Sequence, residues 1–306
     1  MKLKKIVLAG ALALSLVTLT ACSPSASSKG GTNVVTMKGD TIEEVDVYDQ
    51  AAMYPQQGAN KLIQDLTFSK IFEKEFASKV TTSDVQKKYD TQKTQYGSSW
   101  SSYLSQSGFT ETSYKASLRL QLLEQYAIDK EIAATEYTTA KLKTAWTTYY
   151  PTVDAYVVSS STKTDVQTVH DQATSDFSTF KSTQDSNGTE VKFDSSNTTI
   201  PATVQEAASK LQNGQSSEVI AYTDSNSSSS TYGQTTYYFV YMISNPGKGS
   251  DYTKYKTQLQ NYIKSQKESD QTFVASVFKK YLTKYNVIVK DKNFSSIFSN
   301  YIGTSN

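Results

Sequence analysis

The hydrophobic period of this chain changes twice, at Pro151 and again near Pro246, and any fold must accommodate both changes. Before Pro151, apolar residues recur every three or four positions, the period of a helix with one buried face. Leu62, Ile63, Leu66, Ile71, Phe72 and Phe76 mark such a stretch over Asn60–Lys79. Thr82 and Ser83 precede a second, which runs through Tyr89 and Tyr96 and stops at Gly97. Trp100, Tyr103 and Leu104 predict a short helix before Gly108. Tyr114, Leu118, Leu122, Leu123 and Tyr126 predict a long one over Thr110–Glu131, and Leu142, Trp146 and Tyr149 another over Thr135–Tyr149. Ahead of them all, Val34–Met37 reads as a strand turned by Lys38-Gly39-Asp40.

Between the prolines the pattern is mixed. Val153–Val158 is a β-rich run, Thr164–Lys181 returns to helix, and Ala202–Leu211 is a helix stopped by Asn213-Gly214. Val219–Tyr222 and Tyr237–Ile243 read as strands around a polar loop over Thr223–Thr236. After Pro246, the stripe of Tyr255, Leu259, Tyr262, Phe273, Val277, Tyr281 and Leu282 predicts one long helix over Asp251–Tyr285. A terminal helix of that kind needs the earlier helices to cover its stripe. The expectation is therefore an α+β protein. Residues 33–150 and 247–306 form one discontinuous helical domain, and residues 151–246 form a small inserted α+β domain.

The N-terminus reads as an address. Lys2, Lys4 and Lys5 precede a 14-residue apolar run over Ile6–Leu19, too short to span a bilayer. It ends in Leu19-Thr20-Ala21-Cys22, which resembles a bacterial lipobox, and Cys22 is the single cysteine of the chain. Residues 1–21 then form a removable signal, Cys22 carries a diacylglycerol, and residues 22–32 form a flexible tether. Removing the signal takes away three Lys and no acids, leaving 28 basic and 29 acidic side chains. That balance excludes a dedicated nucleic-acid binder. One Cys and one His exclude a disulfide scaffold, a Cys/His zinc site and a Cys–His nucleophile, and no metal or cofactor motif occurs. Charge is segregated along the chain. Pro151–Pro246 holds ten acids against four Lys, and Lys248–Lys292 ten Lys against four acids. Two solvated faces account for this, as does a surface of two signs that holds unfolded chains weakly.

Several marks in order give a family resemblance. They are the lipobox, Val34-Val35 with Lys38-Gly39-Asp40, Gln95-Tyr96-Gly97, Leu104-Ser105-Gln106-Ser107-Gly108-Phe109-Thr110-Glu111, the Leu118–Leu123 helix, and Tyr149-Tyr150-Pro151. Together they resemble the PrsA/PrtM family of extracytoplasmic foldase lipoproteins of Gram-positive bacteria, over nearly the whole chain. The resemblance implies a helical chaperone domain built from both chain ends and an inserted parvulin-type peptidyl-prolyl isomerase domain. It implies anchorage on the outer face of the cell membrane. It also implies secreted proteins, exported proteases among them, as clients, and it allows a homodimer through the helical domain.

The inserted domain is similar to parvulin best over Ile200–Ala208, then Leu211, Gly214 and Val219. The resemblance places Ile200 and Val204 where a Met and a Phe line the proline pocket. The catalytic pattern departs from the family. Tyr156, within Ala155-Tyr156-Val157-Val158, stands where the first histidine belongs, and Tyr238 or Phe239 replaces the second. Asp194 is the candidate for the acid. The sole histidine, His170, matches neither site. Three functions follow for comparison: a foldase acting as a chaperone with a degenerate parvulin domain, a working isomerase with a Tyr-lined site, and a solute-binding lipoprotein. The third normally needs two lobes of alternating strands and helices, which this chain lacks.

Overall fold

The structure, a computed structural model, describes residues 31–302 except 175, 184–187, 198 and 228. The signal, Cys22 and nearly all of the tether lie outside the described residues.

Strand β1 (Asn33–Met37) buries Val34, Val35 and Met37 and turns through Lys38-Gly39 into β2 (Asp40–Glu43). Gly39 has φ +75°, a left-handed conformation that glycine adopts without a Cβ penalty. Helix α1 (Glu44–Met53) starts on a capping box of Glu43 and Asp46. Helix α2 (Ala59–Phe76) buries the whole stripe from Leu62 to Phe76. Helix α3 (Thr82–Tyr96) is capped by Thr81, one residue ahead of the expected start, because Thr81 and Asp84 form a capping box. Helix α4 (Trp100–Gln106) follows, then the 25-residue α5 (Glu111–Thr135).

The middle of the chain begins with α6 (Thr139–Thr148) and β3 (Val153–Ser160). The helix expected over Thr164–Lys181 is two helices, α7 (Lys163–Asp171) and α8 (Phe177–Thr183). Asp176 ends the continuity: its carboxylate accepts the Thr179 N–H at 2.7 Å and so starts a new helix. Strand β4 (Gly188–Phe193) was not expected. Helix α9 (Ala202–Ser209) and strands β5 (Ile220–Thr223) and β6 (Thr235–Ser244) fall where the pattern placed them. The four strands form an antiparallel sheet in the order β4-β3-β6-β5.

The single helix expected over Asp251–Tyr285 is also divided, into α10 (Lys256–Ser269) and α11 (Gln271–Lys284). Asp270 divides them by accepting the N–H groups of Thr272 and Phe273 at 3.0 and 3.1 Å. Strand β7 (Ile288–Val289) then pairs with β1, giving a second sheet in the order β2-β1-β7, and α12 (Ser299–Ile302) closes the described chain. The aromatic stripe of α2 meets α11 directly: Phe68 and Phe72 contact Phe278, and Phe72 and Phe76 contact Tyr281.

The chain divides into two compact units, one drawn from both ends (through Ala134 and from Lys267) and one covering Thr135–Gln266. The division falls outside Pro151 and Pro246. Helix α6 and most of α10 fall in the unit of the sheet, where Leu142, Ala145 and Tyr149 share a buried cluster with Leu259 and Ile263 and the Tyr149 hydroxyl donates to Asp194 after β4. Periodicity alone assigns these helices to the helical domain.

Candidate functional site

Side chains alternate across a strand, so neighbouring residues face opposite sides of a sheet. On β3, Val153, Ala155 and Val157 face α9, while Tyr156 and Val158 face α7 and α8. On β6, Tyr238, Val240 and Met242 face α9, while Phe239 and Tyr241 face α7 and α8. The two central strands hold these sets in register, with Val157 opposite Val240 and Tyr156 opposite Tyr241.

This alternation separates the expected site residues. Ile200, Val204 and Tyr238 share the α9 face. Tyr156 lies on the other face, 3% exposed, with its ring edge-on to Phe177 and Phe180 at 6.1 and 5.8 Å. A Cβ on Gly188 would come within 2.6 Å of the Tyr156 ring, so the strand beside it leaves room only for glycine. Tyr156 is thus a core residue and, contrary to the expectation from sequence, does not share a site with Tyr238. Phe239, the other candidate for the second position, shares the Tyr156 face and is fully buried. The β3 residue that does face Ile200, Val204 and Tyr238 is Val157, one position on. Period two, counted from Val153 and Ala155, was the signal for it.

The α9 face is packed closed. Val204 has no exposed surface, so it offers nothing to a proline ring, whereas Ile200 and Tyr238 keep part of theirs. Burial raises the Tyr238 hydroxyl above its usual range, helped by neighbouring Tyr222, so it stays protonated at neutral pH.

Asp194 follows the end of β4 and serves as an acceptor. It takes the Tyr149 hydroxyl at 2.9 Å, and its other oxygen takes the Ser196 N–H and hydroxyl at 2.8 and 2.5 Å. Tyr149 is fully buried and packs against Tyr255 and Tyr262, so Asp194 ties the end of α6 to the sheet. Burial pushes the Tyr149 hydroxyl well up, and the hydrogen bond to Asp194 adds to this. The cavity beside Asp194, lined by Tyr150, Pro151, Val153, Phe193, Gln205 and Ser209, measures about 10 Å³. That is room for about one water and no ring.

His170 lies on α7, on the Tyr156 side of the sheet, its ring edge-on to Phe239 at 5.9 Å. Its Nδ1 lies 2.9 Å from Asp171 and its Nε2 3.7 Å from Glu218. Among the described residues, no group of three or more His, Cys, Asp or Glu could hold a metal ion, and no helix is long and apolar enough to cross a membrane.

No protein-family model matches the chain. Among curated proteins, it is 47% identical over 312 residues to the foldase protein PrsA of Lactococcus lactis subsp. lactis (strain IL1403), covering 100% of this chain and 98% of the relative. It is 38% identical, with the same coverage, to the foldase protein PrsA of Streptococcus agalactiae serotype V. Among solved structures, it resembles the foldase protein PrsA of Lactococcus lactis with a TM-score of 0.72 and 47% identity, over 88% of this chain and 99% of that one. It also resembles the foldase protein PrsA of Streptococcus pneumoniae with a TM-score of 0.66 and 31% identity, over 89% of this chain and 100% of that one.

Proposed function

Because this chain belongs to the PrsA family of extracytoplasmic foldases, we propose that it assists secreted proteins as a chaperone, held to the membrane through a lipid on Cys22, and that its parvulin-like unit has lost prolyl isomerisation. The observation that carries this reading is the split of the candidate residues between the two faces of the sheet.

The prolyl amide rotates over a barrier of ~18–20 kcal/mol, and the uncatalysed turn takes tens of seconds or more. Lowering that barrier requires a pocket for the ring and surroundings that favour the twisted amide over the planar one. Here Val204 is sealed, Tyr156 faces the other way, and Asp194 is engaged by Tyr149 and Ser196. Among the described residues, no polar constellation on the α9 face replaces the histidine pair that the resemblance implies. The helical unit offers surface for weak apolar contact with clients: Tyr96 is 41% exposed and stacks on Tyr103 with ring centroids 4.2 Å apart. Exported proteases are clients in this reading, and a homodimer through the helical unit is compatible with it. Two acyl chains on Cys22 would suffice for stable anchorage.

The test uses the soluble mature chain starting at Ser23. Cis-to-trans isomerisation of a short proline peptide is followed beside aggregation of an unfolded protein that has no slow proline phase. The expected result is suppressed aggregation with no isomerase rate above background. Tyr156→Phe and Tyr238→Phe should leave the suppression unchanged. A substantial isomerase rate, lost in Tyr238→Phe, would overturn the reading.

A further inference from the structure

Within the helical unit, α5 places Ser117, Gln121 and Glu124 four and then three residues apart, on one helix face. On α2, Asp65 is buried at 1% exposure. Gln50 of α1 and Tyr54, which ends α1, are buried as well. The three helices meet here: Ala116 of α5 packs against Tyr54 and Leu62, and Arg119 of α5 grips Glu73 of α2 with two bonds of 2.5 and 2.7 Å.

This junction is polar and unsatisfied. Asp65 Oδ2, Tyr54 Oη, Ser117 Oγ, Gln50 Nε2 and Gln121 Oε1 are all buried without a hydrogen-bond partner. Sealed polar atoms of this kind are few in native proteins and call for an explanation. The second Asp65 oxygen accepts from Lys61, one turn back, at 2.5 Å. The charged and titratable groups that face Asp65 are Lys61 on its own helix, Tyr54 at the end of α1, Glu124 on α5 and Tyr301 on α12. Among the described residues, two carboxylates thus face one ammonium, that of Lys61. One negative charge is left uncompensated, and binding a proton removes it at the lowest electrostatic cost.

We propose that this seam between α1, α2 and α5 is a proton-binding site, and that a proton held by Asp65 and Glu124 locks α2 against α5. The proton turns one carboxyl into a donor in a seam where Gln121 Oε1 is an acceptor without a partner. Its loss leaves both carboxylates charged against the one ammonium of Lys61.

The direction of the pH effect follows. Burial pushes the Asp65 carboxyl up to about 7, against the pull of Lys61. Burial raises Glu124 too, opposed by Lys61 and aided by Asp65, although part of Glu124 still faces solvent. An unfolded carboxyl titrates at about 4. Between roughly pH 4 and pH 7 the closed seam therefore binds more protons than the open one. Its stabilisation is fully present below about pH 4 and is lost as pH rises through about 7. Ordinary ion-paired carboxylates behave in the opposite sense. An extracytoplasmic protein meets the pH of its surroundings, so this seam keeps the helical unit closed in acid.

Hydrogen exchange of the full mature chain at pH 5 and pH 7, corrected for intrinsic rates, tests the proposal. The opening of α2 and α5 should grow by about tenfold per pH unit for one proton released, while β3 and β6 show no such trend. Asp65→Asn and Glu124→Gln should each reduce the pH trend, and the double variant should abolish it. Opening of α2 and α5 that is the same at both pH values, or greater at pH 5, would overturn the proposal. Should Asp65→Asn fail to fold, the carboxyl carbon resonance of Asp65 in the unmodified chain decides. A midpoint near 7 supports the site, and one near 4 sinks it.

Discussion

The two faces of the four-stranded sheet are built from different side chains. The face toward α7 and α8 is aromatic, with Tyr156, Phe180, Phe239 and Tyr241 buried together and Phe177 against them. The face toward α9 is aliphatic, with Val153, Ala155, Val204, Ala208, Val240 and Met242, and Tyr238 and Phe193 bring rings to it. Both faces come from the same two strands, one residue out of phase. A tyrosine on β3 is therefore core or candidate site according to a single step in register. Chemistry that the resemblance places on the α9 face cannot be carried by the aromatic face, however suitable its residues are by type.

The strongest way to break this contrast is to empty the aromatic face. Phe180 sits at its centre, with ring centroids 5.8 Å from Tyr156, 5.8 Å from Phe239 and 5.1 Å from Tyr241. Phe180→Ala removes a fully buried ring and should cost about 3–5 kcal/mol. Val204→Ala on the other face removes less volume and should cost less. Urea unfolding reported by a probe in the sheet unit compares the two. Equal losses would mean that the faces share the packing load and that the contrast is only one of composition.

A smaller effect sharpens the same point from the strand edge. A Cβ at position 188 would lie 2.6 Å from Tyr156 Cε1 and 2.8 Å from the carbonyl oxygen of Val157. Gly188→Ala should cost about 1–3 kcal/mol by overpacking. Adding Tyr156→Leu should return part of that loss and not all of it, because the Val157 carbonyl still crowds the new methyl. The coupling energy of this double-mutant cycle is the measurement. Zero coupling would place the Tyr156 ring away from Gly188.

Much of this organisation was legible in the sequence. The long stripes of α2, α5 and α11 and the β-rich runs of β3 and β6 stand where their periods put them. The failures have local causes. Strand β4 is mostly uncovered and carries Thr189, Glu190 and Lys192, so no apolar run announced it. Strand β7 has two residues and depends on pairing with β1 at the far end of the chain. Asp176 and Asp270 are helix-capping residues in plain view, yet the apolar stripe on each side suggested continuous helices. At the site, matching residues by type favoured Tyr156, whereas the strand period favoured Val157. The polar seam had no sequence signal, because its members come from three helices and each alone looks like an ordinary polar position.

The smallest expected effect is the loss of the Tyr149 hydroxyl from Asp194, 45 positions away in sequence. Removing either partner deletes the same hydrogen bond, but the two deletions are not equivalent. Tyr149→Phe leaves Asp194 partly exposed and still bonded to Ser196, so water can replace the lost hydroxyl. That change should cost about 1 kcal/mol. Asp194→Ala leaves a fully buried hydroxyl with no acceptor and also removes the turn to Ser196. It should cost about 1–3 kcal/mol, the penalty of an unsatisfied buried group. In the Tyr149→Phe background the orphaned hydroxyl is gone, so Asp194→Ala should become milder. The order of the two single variants in urea unfolding distinguishes a structural tie from a site residue. If Asp194→Ala is the milder change and instead alters prolyl isomerisation, Asp194 belongs to a working site, and the aliphatic face regains the chemistry that its packing denies it here.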